Sequence, residues 1–210
     1  MILYTAITAN KDTVRNCNFD IEKVLFTDTD LTSSTWEVKK ISSDEENAVR
    51  RAKVYKVCPH LFFNDDTFWI DGNVELKMTP SFFMKILLEK DKDMILFNHP
   101  QRTSSFVEAE AVIKGGLDNR EIVEKQVQRY KDEGFDGEGL SWGGFIVRRN
   151  NEKVKEFNEC WWQEIKKGSV RDQISLPYAV WKTKIKVEYL QITEANFGDN
   201  DYYTKGNHNW

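Results

Sequence analysis

The sequence is short of most features that mark a specialised chain. It has only three cysteines, Cys17, Cys58 and Cys160, far apart and never in a CxxC pair. That argues against a disulfide framework and a structural zinc site, and for a reducing compartment. No stretch approaches the ~20 apolar residues of a membrane-spanning helix. The opening MILYTAITANKD turns polar after Ala6, which is too early for a signal peptide. Positive charge is not in surplus. Thirty Lys and Arg against 34 Asp and Glu leave a formal net charge of -4, and the two signs are mixed along the chain. Nucleic acid and anionic membranes usually select a basic stripe, so neither is expected as a partner. Repeats, low-complexity tracts and linkers are missing too. The expectation is a stand-alone chain without an integral membrane segment, acting in the cytoplasm.

What is present is an ordinary globular composition, 40% hydrophobic and 30% charged over 210 residues, enough for one α/β domain with a substantial core. Short apolar, β-branched runs read as strands at 2–7, 23–27, 36–41, 67–70, 94–97 and 143–147, with an alternating strand at 184–190. Helical patterns separate them. One runs from Asp44 to about Pro59, capped by Ser42 or Ser43. A second opens at Thr79-Pro80, with Phe82, Phe83, Ile86 and Leu87 on one face. A charged helical stretch from Val107 to Tyr130 is interrupted at Gly115-Gly116. Val154, Phe157, Trp161 and Ile165 form the stripe of a strong helix over 151–165, and a last helix starts near Arg171. Cys58 and Cys160 fall in apolar, helix-like segments and read as core thiols. The tail over 196–210 has no periodicity. Strands alternating with helices predict an α/β/α sandwich around a mostly parallel sheet, with residues 1–210 as a single domain.

The most informative stretch is Trp69-Ile70-Asp71-Gly72-Asn73. A hydrophobic strand delivers a carboxylate to its C-terminal end, where open α/β sheets bind ligands. The glycine permits a sharp turn or a close approach to a ligand. Asn73 adds a second oxygen, and such oxygens suit Mg2+ or Mn2+ and hence a diphosphate. Asp-Gly-Asn is equally a common turn sequence. Asp172 has two readings as well: an acidic residue that favours a helix start, or a carboxylate for chemistry. His99, between Asn98 and Pro100, is either a turn residue or a substrate contact. Trp142, next to two glycines in a loop, is a better candidate for stacking on a sugar than Trp161 or Trp162, which sit in a helical stripe.

The ordered segments ITANKD, VLFTD, RAKVYKV, WIDGNVEL, FNHPQR, EAEAVI, GLSWGGFIVRRN, WWQEI and RDQISLPYAVWK resemble the glycosyltransferase-like domain of plant Golgi proteins involved in mucilage and cell-wall synthesis. They span Ile7 to Lys182. The core also resembles GT-A glycosyltransferases of the family 8 type, with Asp71-Gly72-Asn73 at the "DxD" metal motif and Asn73 in place of its second Asp. That resemblance implies a GT-A, Rossmann-like fold and a set of roles. Thr5, Ala6 and Thr8 would meet the nucleotide, with Asp28 on the same rim. Lys53 or Lys56 would reach the diphosphate, and Trp142 and Gly143 would line the sugar pocket. Asp71, Asn73 and His208 would hold Mn2+ or Mg2+, and Asp172 and Gln173 would act beside the donor sugar.

The function this implies is sugar transfer, with retention, from a nucleotide sugar (a UDP-sugar before others) to a glycan, lipid-linked or protein acceptor. Two other classes compete. Asn73 in the metal motif favours a non-catalytic nucleotide-sugar or glycan-binding protein on the same fold. A nucleotidyltransferase would normally carry a glycine-rich phosphate loop after the first strand, and ITANKDTVRN has none.

Overall fold

The computed structural model describes residues 1–41 and 48–207. The expected Ser42 or Ser43 cap, the acidic turn from Asp44 and the candidate ligand His208 lie outside the described residues.

Seven strands form the central sheet in the order β3-β2-β1-β4-β7-β6-β8. They are β1 (Ile2–Ile7), β2 (Lys23–Thr27), β3 (Glu37–Lys40), β4 (Thr67–Ile70), β6 (Met94–Asn98), β7 (Ser141–Arg148) and β8 (Val187–Leu190). Only β7 runs against its neighbours, between β4 and β6; the other pairings are parallel. The sheet is therefore mostly parallel, as the alternating pattern predicts. Because side chains alternate along a strand, it has two apolar faces. Tyr4, Phe26, Trp69, Leu96 and Ile146 face one side. Packed there are α1 (Ala48–Val57), α5 (Glu152–Lys167) and α6 (Asp172–Thr183). Leu3, Leu25, Phe68, Phe97 and Phe145 face the other, against α2 (Pro80–Glu89). A third cluster joins α3 (Ser105–Lys114) and α4 (Arg120–Asp132) to α6. Among the described residues no helix is long and apolar enough to cross a membrane.

Three local expectations need correction. Phe82 does not share the buried face of α2: Phe83 and Leu87 are fully buried, whereas Phe82 is 37% exposed and leans toward Tyr202. Trp142 is not in a loop but near the start of β7, packed against Phe97, Phe197 and Tyr203. The tail, read as lacking periodicity, contains regular structure. It carries β9 (Tyr203–Lys205), antiparallel to β5 (Val74–Leu76) in a separate two-stranded sheet.

Two polar arrangements fix the frame of the sheet. Arg148, 1% exposed at the end of β7, donates from one terminal nitrogen to the Lys56 carbonyl at 2.8 Å and to the Tyr4 hydroxyl at 3.2 Å. A cation at the last turn of α1 satisfies an orphan carbonyl and favours the helix dipole. At the end of β6, His99 Nδ1 accepts the backbone N–H groups of Gln101 and Arg102. That fixes the neutral tautomer with its proton on Nε2 and makes His99 a turn residue. Burial, reinforced by the Arg102 charge, pushes its pKa down to about 4.

Arg148→Ala is expected to lower the unfolding free energy by about 3 kcal/mol, from lost packing and the lost hydrogen bonds to the Lys56 carbonyl and the Tyr4 hydroxyl; urea denaturation measures it, and a loss below about 1 kcal/mol would remove these contacts from the account. For His99, the folded pKa lies below the ~6.5 of an unfolded histidine. Between those values the unfolded chain binds more protons, so His99 contributes stability above pH ~6.5 that is lost as pH falls toward 4. In His99→Asn the rise of stability with pH across that window should flatten; an unchanged slope would show that His99 does not control it.

Candidate active site

The parallel strands end at one edge of the sheet, and β7 starts there. A cleft of about 490 Å³ opens at that edge. Ala6 and Thr8 enter it from the end of β1, Asp71 and Gly72 from the end of β4, and Trp142, Gly143 and Gly144 from the start of β7. Helix α1 contributes Lys53 and Lys56, α6 contributes Asp172 and Gln173, and β9 contributes Lys205.

The centre of the cleft is a charged triad. Lys53 and Lys56, three residues apart, lie on one face of α1 and converge on Asp172 at the first turn of α6. Each ammonium is 2.7 Å from a different carboxylate oxygen. Asp172 is 6% exposed. Burial alone would raise its pKa, but the charges of Lys53 and Lys56 and their hydrogen bonds prevail and hold the carboxyl well below the usual range. Burial lowers the pKa of Lys53, with Lys56 adding to the effect against the pull of Asp172. Lys56 also resists burial, yet its pKa is raised, because it has two carboxylates: Asp172 and Asp71, the latter 3.7 Å away. Gly143 is what lets the strand pass so close. A Cβ there would lie 3.1 Å from the Lys56 ammonium and 3.5 Å from an Asp172 oxygen.

Asp71 is oriented from both sides. Its backbone N–H donates to the Gly144 carbonyl, and its Oδ1 accepts from the Trp69 indole at 3.0 Å. Gly72 has no positive φ; its missing side chain leaves room for Ile7, whose Cδ1 would be 2.7 Å from a Cβ at that position.

Of the other sequence candidates, Gln173 lines the cleft with its amide 3.4 Å from the Ser141 carbonyl. Trp142 borders it but is only 6% exposed, which limits stacking. Thr5 is not on the cleft wall; strand alternation sends it, with Leu3 and Ile7, to the α2 side, fully buried. Asp28 does not line the cleft. It accepts from the Ala9 N–H and pairs with Arg51, holding a segment in which Ala9 and Asn10 both take positive φ. Asn73 is 2% exposed and turns its amide to the Gly206 carbonyl at 2.7 Å. Sequence reasoning missed Lys11, Asp12, Arg171 and Lys205 as lining residues. They stand beside motifs it had singled out, but nothing in their spacing marks them.

For a divalent metal, the described residues contain no group of three His, Cys, Asp or Glu side chains able to enclose an ion. What they offer is the Asp71 carboxylate and the Asn73 Oδ1, a buried oxygen with no partner among the described residues. Oxygen donors of this kind fit Mg2+ or Mn2+, which take one or two carboxylates and complete their shell with water and substrate phosphate.

Comparison with known proteins gives the fold and family. The chain is similar to the solved structure of mouse xyloside xylosyltransferase 1, with a TM-score of 0.51 at 7% identity over 90% of this chain and 84% of that one. It is also similar to core-mannan synthase A from Aspergillus fumigatus, solved in a Mn/GDP form, with a TM-score of 0.50 at 9% identity over 97% of this chain and 73% of that one. Such low identity carries the fold alone, and that fold is GT-A. Among curated proteins, the probable hexosyltransferase MUCI70 of Arabidopsis thaliana is 28% identical over 171 residues, 73% of this chain but 29% of that protein. The chain thus spans less than a third of the length of this relative. The TOD1/MUCI70 glycosyltransferase-like domain matches residues 10–201, and the chain therefore belongs to that family.

Proposed function

We propose that the chain is a single-domain, nucleotide-sugar-dependent hexosyltransferase, with a UDP-sugar as donor, a divalent cation as aid and a glycan or other hydroxyl compound as acceptor. The observation that carries this reading is the charge of the cleft. Lys11, Lys53, Lys56, Arg171 and Lys205 face only Asp12, Asp71 and Asp172 among the described lining residues. The cleft has an excess of two positive charges in a chain whose net charge is -4. A nucleoside diphosphate supplies the complementary anion, and the family and fold supply the sugar.

In this mechanism Asp71 would hold the cation, whose remaining positions water and donor phosphate would fill. When bound, the cation neutralises charge that develops on the leaving diphosphate. Lys53 and Lys56 do the same from the protein: partners of Asp172 in the free chain, they are within reach of an anion that enters beside it, in a site partly screened from water. Asp172, held ionised far below neutral pH, is a poor proton acceptor. Its role is that of a fixed negative charge facing an oxocarbenium-like anomeric centre, and Gln173 positions the sugar beside it. Retention is the outcome we infer for this arrangement. The alternative, binding without turnover, is favoured by one observation: the Asn73 amide is committed to Gly206 and is not turned toward the cleft.

Nucleotide release from a panel of UDP- and GDP-sugars, with Mn2+ or chelator, tests the proposal. One donor should be turned over, and Asp71→Ala should lower the rate by about 100-fold, the loss of one transition-state charge contact. Donor binding by calorimetry without release, across a broad acceptor panel, would establish the non-catalytic reading. No binding at all would refute both.

A further inference from the structure

Asn73 stands where a second metal-binding carboxylate is expected, and its surroundings ask for something a carboxylate cannot give. Its Nδ2 donates to the Gly206 carbonyl at 2.7 Å, while its own backbone carbonyl accepts the Gly206 N–H at 2.8 Å. Since Gly206 offers an oxygen, the end of the Asn73 side chain that meets it must be the nitrogen. The two bonds clamp the end of β9 to the turn that carries Asp71, 133 residues earlier in the chain. Everything else at the junction supports the clamp. Lys205 pairs with Val74 in the β5–β9 register, Tyr203 is buried against Phe97 and Trp142, and the Arg15 guanidinium fills the space a side chain at Gly206 would need. What the clamp presents is Lys205, which lines the cleft, rests 5.2 Å from the Phe197 ring and has no carboxylate partner among the described residues.

We propose that Asn73 is a positioning residue, a latch whose amide fastens β9 to the Asp71 turn so that Lys205 is held at the cleft as a further diphosphate-binding residue. The second half of this statement rests on the nucleotide-sugar reading; the first does not. The latch explains the asparagine. An aspartate at 73 only accepts, and it would set a buried negative charge against the Gly206 carbonyl. A latch and a metal ligand therefore respond in opposite order. If Asn73 is chiefly a ligand, N73D restores the usual carboxylate and should bind the cation with UDP at least as well as wild type, with N73A worst. If it is a latch, N73D is worse than N73A.

Two measurements separate the possibilities. The first is hydrogen exchange of the backbone amides of residues 203–206 in the protein without ligand. It should speed up about tenfold in N73A, the equivalent of one buried hydrogen bond, and further in N73D. The second is calorimetric UDP binding with Mn2+, which should weaken about tenfold in K205A while exchange in β9 stays at the wild-type rate. Wild-type exchange in N73A, or tighter UDP binding by N73D than by wild type, would overturn the latch. UDP binding by K205A equal to wild type would overturn the role of Lys205. If N73D does not fold, N73A and K205A still decide both halves. If wild type binds no UDP, the nucleotide-sugar reading falls, Lys205 loses its assignment, and the exchange data judge the latch alone.

Discussion

Two ammonium groups from one turn of helix share one buried carboxylate, and much of the molecule is arranged around that contact. Lys53 and Lys56 reach Asp172 because α1 and α6 pack on the same face of the sheet. Strand β7 passes beneath them with no side chain at Gly143, where a Cβ would press on the Lys56 ammonium. The last turn of α1 is held in turn by Arg148 and Tyr4 through the Lys56 carbonyl. Removing three charged groups from water is costly, and a buried ion cluster is weak evidence for stability. The triad makes better sense as an arrangement that keeps positive charge in excess, ready for an anion, while its own carboxylate stays ionised.

The groups around the cleft divide into those that face it and those that hold others in place. Lys53, Lys56, Asp71, Gln173 and Lys205 face it. Asp28, Trp69, Arg148 and Asn73 act at one remove: they secure, respectively, the strained Ala9 segment, the Asp71 carboxylate, the end of α1 and the end of β9. Each of the four uses a hydrogen bond to a backbone group or to a single side-chain oxygen.

Much of this was legible in the sequence, for definite reasons. The strands over 2–7, 23–27, 67–70 and 94–97 are apolar runs bounded by turn residues, and the stripe of Val154, Phe157, Trp161 and Ile165 has the helical period. Asp71 could be read because it stands at the end of an apolar strand and Asp172 because it opens a helix, whereas Lys53 and Lys56 came from the family resemblance and not from their spacing. Thr5 was misplaced although its position could be read: it alternates with Tyr4 and Ala6 and so belongs to the opposite face of β1. The failures over β5 and β9 have another cause. Three-residue strands carry no periodicity, and their pairing joins residues about 130 apart, which no local window contains. Phe82 fell outside the core because the exposed side of α2 leans on Tyr202, a residue of the same distant segment.

The two-stranded sheet also bears on how such a molecule is made. Synthesis proceeds from the N-terminus, and chains begin to fold as they emerge. The seven strands of the central sheet are complete at Leu190, so the triad and the Asp71 turn can be assembled while the rest of the chain is still being translated. The cleft acquires its last wall only when Lys205 arrives and docks on a turn laid down much earlier. Closure across so long a loop is slow compared with local pairing. The last wall of the cleft is thus tied to the arrival of β9, and a chain cut short before it would carry the central sheet with one side of the cleft missing.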